Sequence, residues 1–178
     1  MYEKVILGFL RLKPMTTYDL AQAMSQSTSF FYNVSQGSIH PALQRLLKAG
    51  QVTQQARVEG GRNKKVYFIT DDGHAAFDDW LASPLSVSKV KDETVLRLFF
   101  MGALDVKRRR QVLEDYLQEL TEQRDDLQTL KHQGEAKAAV VDESLRDVAT
   151  YQLHTLQFGL DYYDFIHGWI RRLLDSEG

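Results

Sequence analysis

The sequence predicts a mainly α-helical chain with one small β-hairpin, built as a mixed N-terminal domain followed by an all-helical one. Three observations carry this reading. Apolar residues recur at helical spacing along most of the chain. That period gives way to strand-like alternation at one place, on either side of Gly60 and Gly61. The last helical stretch bears two apolar seams, one residue apart, and so asks for two packing partners. The expected organisation is a first domain over residues 1–82, a linker over 83–90 and a helical domain over 91–178.

The elements follow in order. Val5–Leu12 reads VILGFLRL, with large apolar residues on more than one helical face. A one-sided surface helix needs only a stripe. Val5 and Phe9 are therefore candidates for contact with a partner subunit. Pro14 ends this helix, and Thr16 with Asp19 resembles a capping box, Asp replacing the usual Glu. A second helix is predicted from about Thr17 to Met24. A polar link containing Phe30, Phe31 and Tyr32 leads to a third helix, whose apolar face is Ile39, Leu43, Leu46 and Leu47. Pro41 is tolerated in a first turn, which puts the start of this helix close to Ser38. Gly50 closes it. QVTQQARV and KKVYFIT then pair as the hairpin, and Thr70 caps a fourth helix, DDGHAAFDDWLA, that Pro84 terminates.

Beyond the linker, Asp92 opens one helix and Asp105 caps the next. The second of these carries Leu113, Leu117, Leu120 and Leu127, with Arg124 interrupting its seam. A turn or frayed stretch is expected from His132 to Ala139. The last helix is predicted from about Asp142 to Leu174. Its first seam is Leu145, Val148, Gln152, Thr155, Gly159, Tyr162, Ile166, Trp169 and Leu173. The second is Ala149, Leu153, Leu156, Leu160, Tyr163, Ile170 and Leu174. A two-helix hairpin cannot bury both, so self-association is expected, with Leu145, Val148, Leu156, Tyr162, Ile166 and Trp169 in the dimer contact.

Composition removes several function classes. The chain has 178 residues and no cysteine, which rules out disulfides and thiolate metal sites. No segment has the length and apolarity of a membrane span, and the N-terminus lacks the pattern of a signal peptide, so a cytoplasmic location without membrane contact is expected. The net charge is −2, but it is unevenly spread: residues 1–82 carry nine Lys/Arg against seven Asp/Glu, and the remainder thirteen against seventeen.

Three helices followed by a hairpin is the order of a winged helix-turn-helix. A major groove about 12 Å wide admits one helix, and a basic hairpin beside it can hold the phosphate backbone. The hairpin bears Arg57, Arg62, Lys64 and Lys65, and the polar side of the third helix offers Ser38, His40, Gln44, Arg45 and Lys48. Gln and Arg are types that contact base edges in pairs of hydrogen bonds. The same polar positions also fit an ordinary solvated helix face.

The segments VILGFLRLKPMTTYDLAQAM, QGSIHPALQRLLKAGQV and GRNKKVYFITDDGHAAFDDWL resemble the PadR family of bacterial transcriptional regulators. KDETVLRLFFMGAL and the helices after it resemble its virulence-activator, AphA-like, subgroup. The resemblance implies a homodimeric regulator of double-stranded DNA, with repression the expected sense and a pseudo-palindromic operator as its target. It implies that the third helix reads bases, that the wing grips phosphates, and that the first helix packs with the partner's C-terminal helices. Thr17, Tyr18 and Ser35 join the DNA-binding candidates on this footing. One departure stands out: the family's Ile-Tyr-Pro triplet is Ile39-His40-Pro41 here.

Two other readings compete with this one. For an enzyme, no two of the five histidines sit at i, i+4, and phosphate loops and nucleophile elbows are absent. Asp164-x-x-His167 with Asp161 is the best metal candidate, but bundle carboxylate sites need two such motifs. No enzyme, cofactor or metal is therefore expected. The other alternative is a winged-helix interaction module without DNA binding, against which the basic wing argues. The run Lys107–Arg110 spreads around a helix, and Arg110 can pair with Glu114. The aromatic residues of the second half suit ordinary packing, or an aromatic small-molecule effector, as some PadR relatives bind.

Overall fold

The computed structural model of the chain describes residues 1–28, 36–59, 62–86 and 92–177. It forms two compact units, Met1–Ser88 and Lys89–Gly178. The first contains α1 (Tyr2–Leu12), β1 (Met15–Thr16), α2 (Thr17–Ser25), α3 (Gln36–Lys48), β2 (Val52–Glu59), β3 (Arg62–Ile69) and α4 (Asp71–Ala82). The second contains α5 (Glu93–Phe100), α6 (Val106–Ala138) and α7 (Arg146–Ser176), with 3₁₀ turns at Met101–Ala103 and Glu143–Leu145. The chain is thus mainly helical with one small sheet. Among the described residues no helix is long and apolar enough to cross a membrane.

The core of the first unit is built around α1. Ile6, Leu7 and Leu10 are buried against Leu20 and Met24 of α2, Ile39, Leu43 and Leu46 of α3, Val52 of β2 and Tyr67 of β3. Val5 and Phe9 pack on this cluster and stay half-buried. Fully burying such aliphatic side chains contributes about 1.5–3 kcal/mol each, so one helix ties together every element that positions the site.

Local rules explain the element ends. The Thr16 hydroxyl accepts from the Asp19 backbone N–H at 3.1 Å, and the Asp19 carboxylate accepts from the Thr16 N–H at 2.9 Å. This is a complete capping box, with Asp serving where Glu is usual. At the end of α3 the Gly50 N–H donates to the Leu47 carbonyl and the Gln51 N–H to the Leu46 carbonyl. Gly50 itself sits at φ 70, the left-handed conformation this closure requires. Thr70 caps α4 by accepting from the Gly73 N–H at 3.1 Å.

The hairpin pairs antiparallel, with Val52 opposite Ile69 and Arg57 opposite Lys64. The sheet has a third strand beyond the expected hairpin: β1 pairs with β3, Met15 opposite Tyr67 and Thr16 opposite Val66. The sheet order is β1-β3-β2. Two residues are too few to show alternation, so β1 leaves no periodic signal.

Several other expectations are corrected. α1 begins at Tyr2, ahead of the Val5 expected from the apolar run alone. α3 begins at Gln36, so Pro41 lies in its second turn and not its first. Pro41 lacks an N–H for the Gly37 carbonyl, and Gly37 is exposed, where water can serve it. The stretch His132–Ala139 is not a turn, because α6 continues through Ala138. Lys131 pairs with Glu135 at 3.1 Å one turn on. Gly134 lets α7 approach so closely that a Cβ there would sit 3.2 Å from Leu153 Cδ2. Asp142 caps the 3₁₀ turn, and α7 proper starts at Arg146.

In the second unit α6 and α7 run antiparallel. Arg109 pairs with Glu177, Arg124 with Asp164, and Gly134 meets Leu153, so residue numbers rise on one helix as they fall on the other. Leu113 of α6 and Ile170 and Leu174 of α7 form the buried cluster, with Leu98, Met101, Tyr116, Leu117, Ile166 and Leu173 against it.

Candidate nucleic-acid interface

The α3 surface divides cleanly at 100° per residue. Ile39, Ala42, Leu43 and Leu46 are buried. Gly37, Pro41, Gln44 and Lys48 lie on the opposite side and are exposed. His40 and Arg45 occupy the two flanks between these faces and are also exposed, while Ser38 is half-buried.

The two flanks meet different neighbours. Arg45 Nε donates to Glu3 Oε1 of α1 at 2.5 Å. The Glu3 carboxyl is held down at about 2, first by a backbone hydrogen bond in the opening turn of α1 and then by Arg45. Arg45 is thus anchored through one edge of its guanidinium, a constraint the sequence spacing did not reveal.

His40 lines a cleft of about 320 Å³ with Thr16, Thr17, Tyr18 and Asp19 of β1 and α2, and Lys64, Lys65 and Tyr67 of β3. β1 creates this cleft, because its pairing with β3 sets the start of α2 beside the base of the wing. Asp19 faces the same space, but its carboxylate is committed to Thr16. The Thr16 N–H, then the Thr16 hydroxyl, hold it below the ordinary carboxylate range, and Lys13 and Lys64 add to this.

On the wing, alternation sends Lys64 and Lys65 to opposite faces of β3. Lys65 shares the face of buried Tyr67. Lys64 shares that of Arg57, directly opposite it, and Phe68, over whose ring the Arg57 guanidinium lies at 5.7 Å. Two cations facing each other across a hairpin repel, and a polyanion relieves that repulsion. Tyr18 is 74% exposed at the edge of the cleft, with Thr17 half-buried beside it. Of the other candidates, Ser35 and the Arg62 side chain lie outside the described residues.

In the second unit the expected dimer residues divide. Leu156 is half-buried, and Ile166 packs on its own unit's core. Gly159 and Leu173 of the same expected seam are buried and half-buried. Leu145, Val148, Tyr162 and Trp169 are exposed, and they continue into Tyr151, Phe158 and Phe165, which the expected seam omitted. Val148, Tyr151, Thr155, Phe158, Tyr162, Phe165 and Trp169 follow the 3-4 spacing of a coiled-coil seam. Phe158 is 71% and Phe165 66% exposed, far from normal for core phenylalanines.

The basic run of α6 closes helix ends inside its own unit. Arg109 Nε donates to Glu177 at 2.9 Å, and Arg110 donates to the Leu174 carbonyl at 3.0 Å. Asp164 accepts from Arg124 of α6 and so joins the two helices, while Asp161 accepts from Gln157 one turn earlier on α7 itself.

Residues 6–79 match the family described as the transcriptional regulator PadR-like family, and residues 90–176 match the virulence activator alpha C-terminal family. The negative transcriptional regulator PadR of Bacillus subtilis (strain 168) is 28% identical over 152 residues, which is 84% of this chain and 84% of that protein. The crystal structure of Bacillus subtilis PadR in complex with operator DNA has a TM-score of 0.86 at 25% identity, covering 99% of this chain and 97% of that one. The Vibrio cholerae virulence activator AphA has the same fold, with a TM-score of 0.76 at 23% identity over 99% and 97% of the two chains.

Proposed function

Since this chain belongs to the PadR-like family of transcriptional regulators, we propose that it is a sequence-specific DNA-binding repressor that acts as a homodimer on a pseudo-palindromic operator. The observation that carries this is the first unit's surface: an exposed helix face at Gln44 and Lys48 beside a cleft lined by His40, Lys64 and Lys65. The helix face fits a major groove, where Gln44 reads base edges. The wing lysines hold backbone phosphates on either side of it. Arg45, buttressed by Glu3 through Nε, keeps its outer nitrogens for the duplex. Operator DNA is the ligand of the Bacillus subtilis relative that resembles this chain over nearly its full length.

Dimerisation follows from the unpartnered aromatic seam of α7. Two copies meeting along Val148–Trp169 bury aromatic surface that a single chain leaves in water. A two-fold dimer presents two α3 helices to successive major grooves, about 34 Å apart. The domain assignment proposed is reading by residues 1–82 and pairing by 91–178, with 83–90 joining them.

Fluorescence anisotropy tests the reading. The protein is titrated onto the duplex upstream of its own gene and onto a scrambled duplex, across a salt series, with light scattering for mass. Tight, selective and salt-sensitive binding by a dimer is the expected result. No binding to either duplex at low salt overturns it.

A further inference from the structure

We propose that Glu3 of α1 is a positioning residue for sequence reading: it holds Arg45 through Nε, turns the outer edge of the guanidinium to the bases and weakens its pull on phosphates. The inference rests on the DNA-binding reading above and adds a specificity-determining residue that lies outside the recognition helix.

The pair joins two elements that are far apart in sequence. Glu3 sits in the first turn of α1 and Arg45 on one flank of α3, and Arg45 Nε donates to Glu3 Oε1 at 2.5 Å. The platform under Glu3 is rigid. Ile6 and Leu7, one turn further along α1, are fully buried. Lys4 Nζ donates to the Ala76 carbonyl of α4 at 2.6 Å. The Glu3 carboxylate is also held by a backbone hydrogen bond in the opening turn of its own helix. A group that orients another must itself be fixed, and Glu3 meets that condition.

A guanidinium carries its N–H donors in a planar fork. Engaging Nε fixes the plane and leaves the edge formed by Nη1 and Nη2 for a second partner. Two such N–H groups make the paired contact to guanine O6 and N7 by which arginine reads the major groove. Among the described residues the two Nη atoms of Arg45 make no hydrogen bond, and more than half of the side chain is exposed. One edge of the fork is tied and the other is open, on the flank of α3 beside the exposed Gln44.

Charge acts in the same direction. A free arginine attracts any phosphate, which adds affinity without sequence information. The Glu3 carboxylate offsets the Arg45 charge at contact distance and repels phosphates around it. The fork keeps its directional donors, while its attraction to an arbitrary duplex is weakened. Removing Glu3 therefore raises affinity for an arbitrary duplex and lowers the preference for the selected one. A loss of folding or packing would instead weaken both together.

The test is anisotropy of the full-length protein on a duplex selected from a random pool and on a scrambled duplex, across a salt series. Glu3→Ala, Arg45→Ala and the double variant are compared with wild type, and urea unfolding checks that each is folded at the assay temperature. Glu3→Ala is expected to lower the ratio of selected to scrambled affinity by about tenfold in a dimer. It is expected to bind the scrambled duplex more tightly and to steepen the salt slope by up to about 1.8, one more free cation per protomer. In the Arg45→Ala background the same substitution is expected to leave the ratio unchanged, because its effect runs through Arg45. An unchanged ratio in Glu3→Ala, or an equal fall with Arg45 absent, overturns the proposal. If Glu3→Ala does not fold, Arg45→Lys carries the test, because it keeps the charge without the fork. Its ratio is expected to fall by a similar factor, and a retained ratio overturns the proposal. In each of these cases selective binding by the wild type leaves the DNA-binding reading standing. A wild type that binds neither duplex at low salt overturns both.

Discussion

The wing lysines give the most quantitative prediction. Replacing Lys64 and Lys65 together with alanine removes two cations from the cleft and strand face described above. Each neutralised phosphate adds about 0.9 to the negative slope of log affinity against log salt. Two lysines in each of two protomers give an upper change of about 3.6 in that slope. Asp19, whose carboxyl is held down chiefly by Thr16, also feels the charge of Lys64. If Lys64 then releases no counterion, Lys65 alone leaves a lower change of about 1.8. Between 50 and 200 mM salt the affinity gap between wild type and variant should therefore shrink by roughly 12- to 150-fold. Anisotropy at several salt concentrations, on cognate and scrambled duplexes alike, measures both slopes. An unchanged slope refutes the phosphate assignment, and a loss confined to the cognate duplex reassigns the lysines to base contacts.

Three further outcomes follow from the same geometry. The Glu3 carboxyl lies at about 2 against an ordinary 4.5, so the stability it contributes is present above about pH 4.5 and is lost as pH falls towards 2. Because the Arg45 side chain is 58% exposed, the ion pair itself should contribute only about 0.5–1 kcal/mol; a urea double-mutant cycle with Glu3→Gln and Arg45→Ala that shows no coupling would contradict the pairing. Gly73→Ala would place a Cβ 2.1 Å from the Gln51 carbonyl oxygen and 2.7 Å from Ile69 Cγ1, and should lower unfolding free energy by about 3 kcal/mol, whereas a stability equal to wild type would show that this packing is wrong. Phe158→Glu with Phe165→Glu removes phenyl groups worth about 1.5–3 kcal/mol each from the α7 seam, so light scattering should find a monomer with unchanged helicity; a dimer of wild-type strength would place the interface elsewhere.

The fold was largely legible because its signals are local. Thr16 with Asp19 and Thr70 mark helix starts by side chains that accept backbone N–H groups, and Gly50 marks a helix end by the left-handed backbone that glycine adopts. In the sequence, the Gly60–Gly61 pair between two alternating runs points to the hairpin. What stayed hidden depends on distant partners. β1 is two residues long and exists only because β3 is there to pair with it. Past His132, α6 packs on α7 where Gly134 meets Leu153, a contact between distant residues that no local pattern announces. Two overlapping 3-4 patterns on α7 cannot say which faces α6. The buried Gly159 and half-buried Ile166 settle that and leave Tyr151, Phe158 and Phe165 outward.

The candidate interface was legible by residue type and not by arrangement. His40, Arg45 and Gln44 share a polar helix side in the sequence, yet they take three different directions. Arg45 turns to Glu3 on α1, His40 turns to the wing lysines, and Gln44 faces outward. No spacing rule on α3 alone can separate these roles, because the neighbours that distinguish them are Glu3 at one end of the unit's sequence and Lys64 and Lys65 near the other.

Hydroxyl-radical footprinting of the full-length protein on its selected duplex tests the central claim most directly. A dimer reading DNA through two α3 helices predicts two protected windows related by a two-fold axis. Their centres should lie about one helical turn apart, with backbone protection at the edges from the wings. A single window, or uniform protection without symmetry, would contradict a two-fold reader of DNA.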